Sequence, residues 1–131
     1  MKNIFLILAF AVSTFSTKAQ TKEETVQTID ALYKSAFTFG QIKVVSVACE
    51  NNFLVKVFSD SDTVKTDLKE VKVLRIEPHY NGEKWHIMYT GISGKGKNEE
   101  YLLGHINAEE TAQKLKVSLE HLIALVKKEK L

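Results

Sequence analysis

Cysteine is nearly absent: Cys49 stands alone in 131 residues. An intramolecular disulfide is thereby excluded, and the fold must be held by its core. Pro78 is the single proline, and glycine occurs six times. That scarcity excludes a Pro-rich or Gly-rich linker, and no repeat or low-complexity tract divides the chain. Charge of one sign is not in excess either, with 18 basic against 16 acidic side chains. A nucleic-acid partner, which calls for Lys and Arg clustered on one face, is not expected.

Long apolar runs are also missing, apart from Ile4 to Val12. Those nine residues are too few for a bilayer span, which takes about 20. Lys2 precedes them, and Ser13 to Lys18 lead to Ala19, with Thr17 and Ala19 as the small residues of a cleavage site. Residues 1–19 therefore read as a secretory signal peptide, and the protein is expected in the periplasm or outside the cell. Its removal leaves residues 20–131 as one domain, large enough to bury a core without staples. Lys2 and Lys18 depart with it, so 16 basic side chains face 16 acidic ones. Position 20 is Gln rather than Cys, so no lipid-bearing cysteine and no stable membrane anchor are expected. Cys49 reads as a small apolar residue at a strand end.

Thr21-Lys-Glu-Glu24 is a capping box, followed by Val26, Ile29, Leu32, Tyr33, Ala36 and Phe37 at helical spacing. Thr38-Phe39-Gly40 ends that helix. The period then becomes two. Strands are expected over 42–48, 53–58 and 63–67, with turns at Glu50-Asn51-Asn52 and Ser59-Asp60-Ser61-Asp62. Asp67 to Glu70 bends the chain, and Val71 to Glu77 forms a strand stopped by Pro78. Asn81-Gly82 is the signature of a two-residue type I′ hairpin before a strand over 84–90. A loop from Gly91 to Asn98 precedes a strand over 99–106. Asn107 is the expected N-cap of a final helix, whose stripe is Ala112, Leu115, Leu119, Leu122, Ile123 and Val126. The order specifies an α+β domain: an N-terminal helix, a five- or six-stranded antiparallel sheet or partly closed barrel, and a packed C-terminal helix.

The loop Gly91 to Asn98 falls one residue short of a phosphate-binding P-loop, because Asn98 stands where Ser or Thr would hold magnesium. A strand rather than a helix follows it, which removes the helix N-terminus that such a loop needs. Its Lys95 and Lys97 remain candidates for holding an anion such as a lipid headgroup phosphate. His86 and His105 lie on adjacent strands. If the ladder pairs them, their Cβ atoms stand about 5 Å apart and can share a metal. Asp60 and Asp62 lack the glycine and distal Glu of a calcium loop and read as turn formers. Trp85 and Tyr89 are candidate contacts for an apolar ligand held between the sheet and the C-terminal helix. No nucleophile elbow, cofactor fingerprint or catalytic constellation is present in the sequence.

The segments Thr21-Lys-Glu-Glu-Thr, Asp67-Leu-Lys-Glu-Val-Lys-Val-Leu-Arg-Ile and Ala112-Gln-Lys-Leu-Lys-Val-Ser-Leu-Glu-His-Leu-Ile-Ala-Leu resemble those of small exported proteins of the Bacteroidota. Some of those look like pleckstrin-homology-like domains, an antiparallel barrel plugged by a C-terminal helix. The resemblance implies such a barrel here and carries over no catalytic residue. The leading expectation is an exported, non-enzymatic binding or protein-interaction module that contacts its partner through loops such as 60–62 and 91–98. A carrier of a small apolar ligand is the second. A hydrolase or metal-dependent enzyme, assembled from distant residues such as His86 and His105, is the third.

Overall fold

The computed structural model of the chain describes residues 21–36, 41–79, 82–92 and 98–129. Residues 1–20, where the leader is expected, 37–40, 80, 81, 93–97 with Lys95 and Lys97, and 130–131 lie outside the described residues. Helix α1 is Lys22–Ala36. Strands β1 (Val44–Glu50), β2 (Phe53–Phe58) and β3 (Thr63–Asp67) follow, then a 3-10 turn at Leu68–Glu70. Strands β4 (Val71–His79), β5 (Lys84–Ile92) and β6 (Asn98–Ile106) lead to helix α2, Glu109–Lys128.

The six strands do not form one sheet or a closed barrel. They make two three-stranded antiparallel sheets, β1-β2-β3 and β4-β5-β6. The break lies at Asp67. Its carboxylate accepts from Lys69 N at 3.1 Å and from Asn52 Nδ2 at 2.6 Å, which caps the 3-10 turn. Leu68 is fully buried at that corner, and its N–H reaches Asn52 O at 2.8 Å. The chain is thus anchored and redirected before β4, which starts a new ladder instead of extending the first.

Local chemistry accounts for the element ends. Thr21 Oγ1 accepts from Glu24 N at 3.2 Å, the first half of the expected capping box. Asn51 takes φ 56 in the loop joining β1 to β2, whose last pair is Glu50↔Phe53. Asp60 Oδ1 accepts from Asp62 N at 3.1 Å, an Asx turn that lets Ser61 adopt φ 73. Gly82 has φ 87 beyond the last β4–β5 pair, His79↔Lys84. Asn81 lies outside the described residues, so the expected two-residue hairpin is not defined there.

Four boundaries differ from expectation. Strand β1 runs Val44–Glu50 rather than 42–48, because its pairing with β2 continues to Glu50↔Phe53. Strand β4 continues through Pro78 to His79, because β4 is an edge strand and an outward-facing imide nitrogen breaks no ladder bond. Pairing of β5 with β6 reaches Ile92↔Asn98, so Gly91, Ile92 and Asn98 of the expected loop belong to strands, and 93–97 lie outside the described residues. The N-cap of α2 is Ala108, not Asn107. Ala108 has the extended backbone of a cap, while Asn107 N donates to Ala36 O at 3.1 Å and is held by the end of α1.

Helix α1 packs on β1 and α2, and α2 lies against the 3-10 turn, β4 and β5. The whole stripe Ala112, Leu115, Leu119, Leu122, Ile123 and Val126 is buried. It meets Ile29 and Tyr33 from α1, Val44, Val47 and Leu54 from the first sheet, and Leu74, Ile87, Leu103 and Ile106 from the second. Each fully buried leucine contributes about 1.5–3 kcal/mol, so α2 is the largest contributor to this core.

Candidate functional site

Two arrangements of polar side chains stand out, one on the second sheet's outer face and one inside the core. Both follow from strand register.

In the second sheet, Ile76↔Ile87 and Ile87↔Gly104 put the apolar residues of three strands on the helix-facing side. The alternate residues fall on the other face: Glu77 opposite His86, His86 opposite His105, and Arg75 opposite Met88. The pairing of His86 with His105 is the register on which their expected proximity depended. Their ring centroids are 4.7 Å apart with planes at 45°, and His79 stacks on His86 at 3.6 Å. Three imidazoles from three neighbouring strands thus form one row.

Charged groups continue that row. Glu77 Oε2 is 3.6 Å from His79 Nε2, and Glu77 Oε1 accepts from Arg75 Nε at 2.7 Å. Arg75 Nη1 also contacts Glu100 on β6, so the guanidinium spans the sheet. The Arg75 guanidinium holds the Glu77 carboxyl below its ordinary range. His105 is only 7% exposed. Burial, then neighbouring cationic groups, lower the pKa of both His86 and His105, which favours neutral imidazoles. The Nε2 atom of His86 is buried and has no protein hydrogen-bond partner. Among the described residues, no group of three or more His, Cys, Asp or Glu is arranged to cage a metal ion. A metal would be held by His86 and His105 as a pair.

The core arrangement centres on Lys56, which the sequence reading did not single out. Period-two alternation places it beside Leu54 and Phe58, and that is the core face of β2. Lys56 is 4% exposed. Its ammonium donates to Leu103 O at 2.7 Å and stands 5.5 Å from the centre of the Tyr33 ring. The Tyr33 hydroxyl donates to the same oxygen at 2.7 Å. A bulge explains why that carbonyl is available: Ile87 pairs with Gly104 and Met88 with Leu102, which leaves Leu103 outside the ladder. Lys56 therefore links the first sheet to the second through a carbonyl that β-pairing does not use. Burial lowers its pKa to about 8.

The other candidates are dispersed. Trp85, paired with Pro78 and Ile106, packs against the edge of the core. Tyr89 does so too, stacks on Tyr101 at 5.1 Å and shares a side-chain hydrogen bond with Thr66. Lys95 and Lys97 lie outside the described residues. Cys49 is half-buried on β1 and donates to Asn51 O at 3.4 Å, and burial raises its pKa. A groove of about 350 Å³ does separate the second sheet from α2, but Val71, Val73, Ile123 and Lys127 line it, not Trp85 or Tyr89. A second groove, about 330 Å³ and almost wholly apolar, runs between the helices past Leu32 and Val117. No described helix is long and apolar enough to cross a membrane.

No family model matches this chain, and no curated protein or solved structure matches it either.

Proposed function

We propose that the protein is an exported, non-enzymatic interaction module whose contact surface is the groove between α1 and α2. The leader-like pattern of residues 1–19 supports export. The observation that carries the contact reading is Val117, which is 56% exposed at an apolar groove open to solvent. Leu32 faces the same groove, and Thr28, Gln113, Lys114 and Ser118 supply its polar residues. An apolar floor with a polar rim is the anatomy of a protein contact. The groove follows two helices, so the occupant that fits is a partner's amphipathic helix, seated as a third ridge between them. Lys114 at the rim favours a partner with an acidic residue flanking its apolar stripe.

Val117→Asp tests this reading. The proteins bound by the wild-type chain in its exported fraction are compared with those bound by Val117→Asp and by Val73→Asp, which alters an exposed valine on β4. A partner lost with Val117→Asp, retained with Val73→Asp, and displaced by a synthetic peptide of its own amphipathic helix supports the groove. Equal binding by wild type and Val117→Asp sinks it.

A further inference from the structure

We propose that His86 and His105 form a two-imidazole chelate for a late first-row divalent metal, with cupric ion as the fitting case.

Three observations converge on this pair. The two histidines face each other directly across the β5–β6 ladder, so the backbone fixes their separation. Their ring centroids lie 4.7 Å apart. With metal–nitrogen bonds of about 2.0–2.1 Å, a metal sits about 3.2 Å from each ring centre, and two cis rings at about 95° then have centres about 4.7 Å apart. An angle near 90° is the cis angle of a tetragonal ion such as Cu²⁺ or Ni²⁺, and imidazole is a favoured ligand for both.

The third observation is chemical. His86 Nε2 is buried without a protein partner, and a buried polar atom left in that state calls for a bound ion or water. Glu77, opposite His86 on β4, places a carboxylate beside the row, where it pairs with Arg75. His79 stacks on the His86 ring at 3.6 Å and limits its rotation. This site is independent of the helix groove, on the sheet's opposite face.

The test is titration of the metal-free full chain with Cu²⁺ against a glycine competitor, followed by electron paramagnetic resonance. The expected result is one tight equivalent with nitrogen hyperfine structure from two imidazoles. His86→Gln and His105→Gln should each weaken binding by at least about tenfold, the scale of losing a principal contact to the metal. His121→Gln, on α2, should bind as the wild type does. Thermal unfolding of each metal-free variant shows whether it is folded. A Zn²⁺ titration of the wild type, read on its imidazole protons, serves where a variant is not. The signals of His86 and His105 should then move together, ahead of His121. Wild-type affinity in a folded His86→Gln or His105→Gln variant overturns the proposal. So do unmoved His86 and His105 signals.

Discussion

Lys56 and Tyr33, from a strand and a helix, donate to one and the same oxygen, Leu103 O, each at 2.7 Å. The bulge in β6 frees that carbonyl, and the two donors fasten the first sheet and α1 to the second sheet at one point. The ammonium has no salt-bridge partner among the described residues. Its burial is therefore incompletely compensated, and the cost is visible in its lowered pKa.

That cost predicts an unusual pH dependence. The unfolded chain holds the Lys56 proton up to about 10.5, and the folded chain holds it to about 8. The unfolded state binds more protons between those values, so raising pH through the window stabilises the fold. The full effect is on the order of 3 kcal/mol, and below pH 8 the whole penalty is present. Burial raises Cys49 and Tyr33, which titrate in the opposite sense. They do so equally in a Lys56→Met variant and cancel in the difference. Urea unfolding at intervals from pH 7.5 to 9.5 should show the variant more stable by about 1–4 kcal/mol at the low end, with the gap narrowing as pH rises. A constant gap would contradict the lowered pKa.

The shared carbonyl makes Tyr33 and Lys56 non-additive. Tyr33→Phe removes one donor but leaves Leu103 O bound by the ammonium, so it should cost about 0.5–1.5 kcal/mol. In a Lys56→Met background the same change orphans a buried acceptor and should cost about 1–3 kcal/mol. A double-mutant cycle measured by denaturant unfolding reads the difference directly. Equal costs in the two backgrounds would show that the donors act separately.

Residues that act through local periodicity were legible in the sequence. The six-residue stripe of α2 is buried as the helical spacing requires, and Asp60 closes its turn through Asp62 N. The capping hydroxyl of Thr21 is also where the pattern puts it. What depended on non-local neighbours was not legible. Alternation assigns Leu54, Lys56 and Phe58 to one face but does not say that a bulge in β6 will present a carbonyl to it. Likewise Asp67 to Glu70 read as a bend, yet the division into two sheets rests on Asn52 and Leu68 meeting there. His86 and His105 lie between these cases: hairpin register pairs them, and the burial of His105 comes from the fold around it.

Asp30 offers a test of how β1 is held. Its Oδ1 accepts from Val47 N at 2.8 Å, and its Oδ2 pairs with Lys34 Nζ at 2.9 Å. The first bond fastens an edge strand to α1, just beyond the bulge at Val44 to Ser46. Asp30→Ala strands a backbone donor and should cost about 1.5–3 kcal/mol, the range for hydrogen bonds to charged groups. Asp30→Asn keeps an acceptor oxygen and should cost less than half as much. Native-state hydrogen exchange at Val47 provides the local readout, with protection lost in Asp30→Ala and largely kept in Asp30→Asn. Full protection of Val47 in Asp30→Ala would mean that the carboxylate does not hold the strand.

Two residues of α2 separate folding from contact. Leu122 is fully buried within the core, whereas Val117, five residues earlier, is mostly exposed. Leu122→Ala removes buried methyl groups and leaves a cavity, so it should lower stability by about 2–5 kcal/mol. Leu122→Asp places an unpaired carboxylate among Leu115, Leu119 and Val126 and should unfold the domain. Val117→Asp changes a side chain that the fold does not enclose and should stay within about 0.5 kcal/mol of wild type. Thermal unfolding of the three variants decides the matter. An unchanged melting temperature for Leu122→Asp would refute the core assignment of α2, and a collapse for Val117→Asp would show that the helix groove belongs to the fold rather than to a partner.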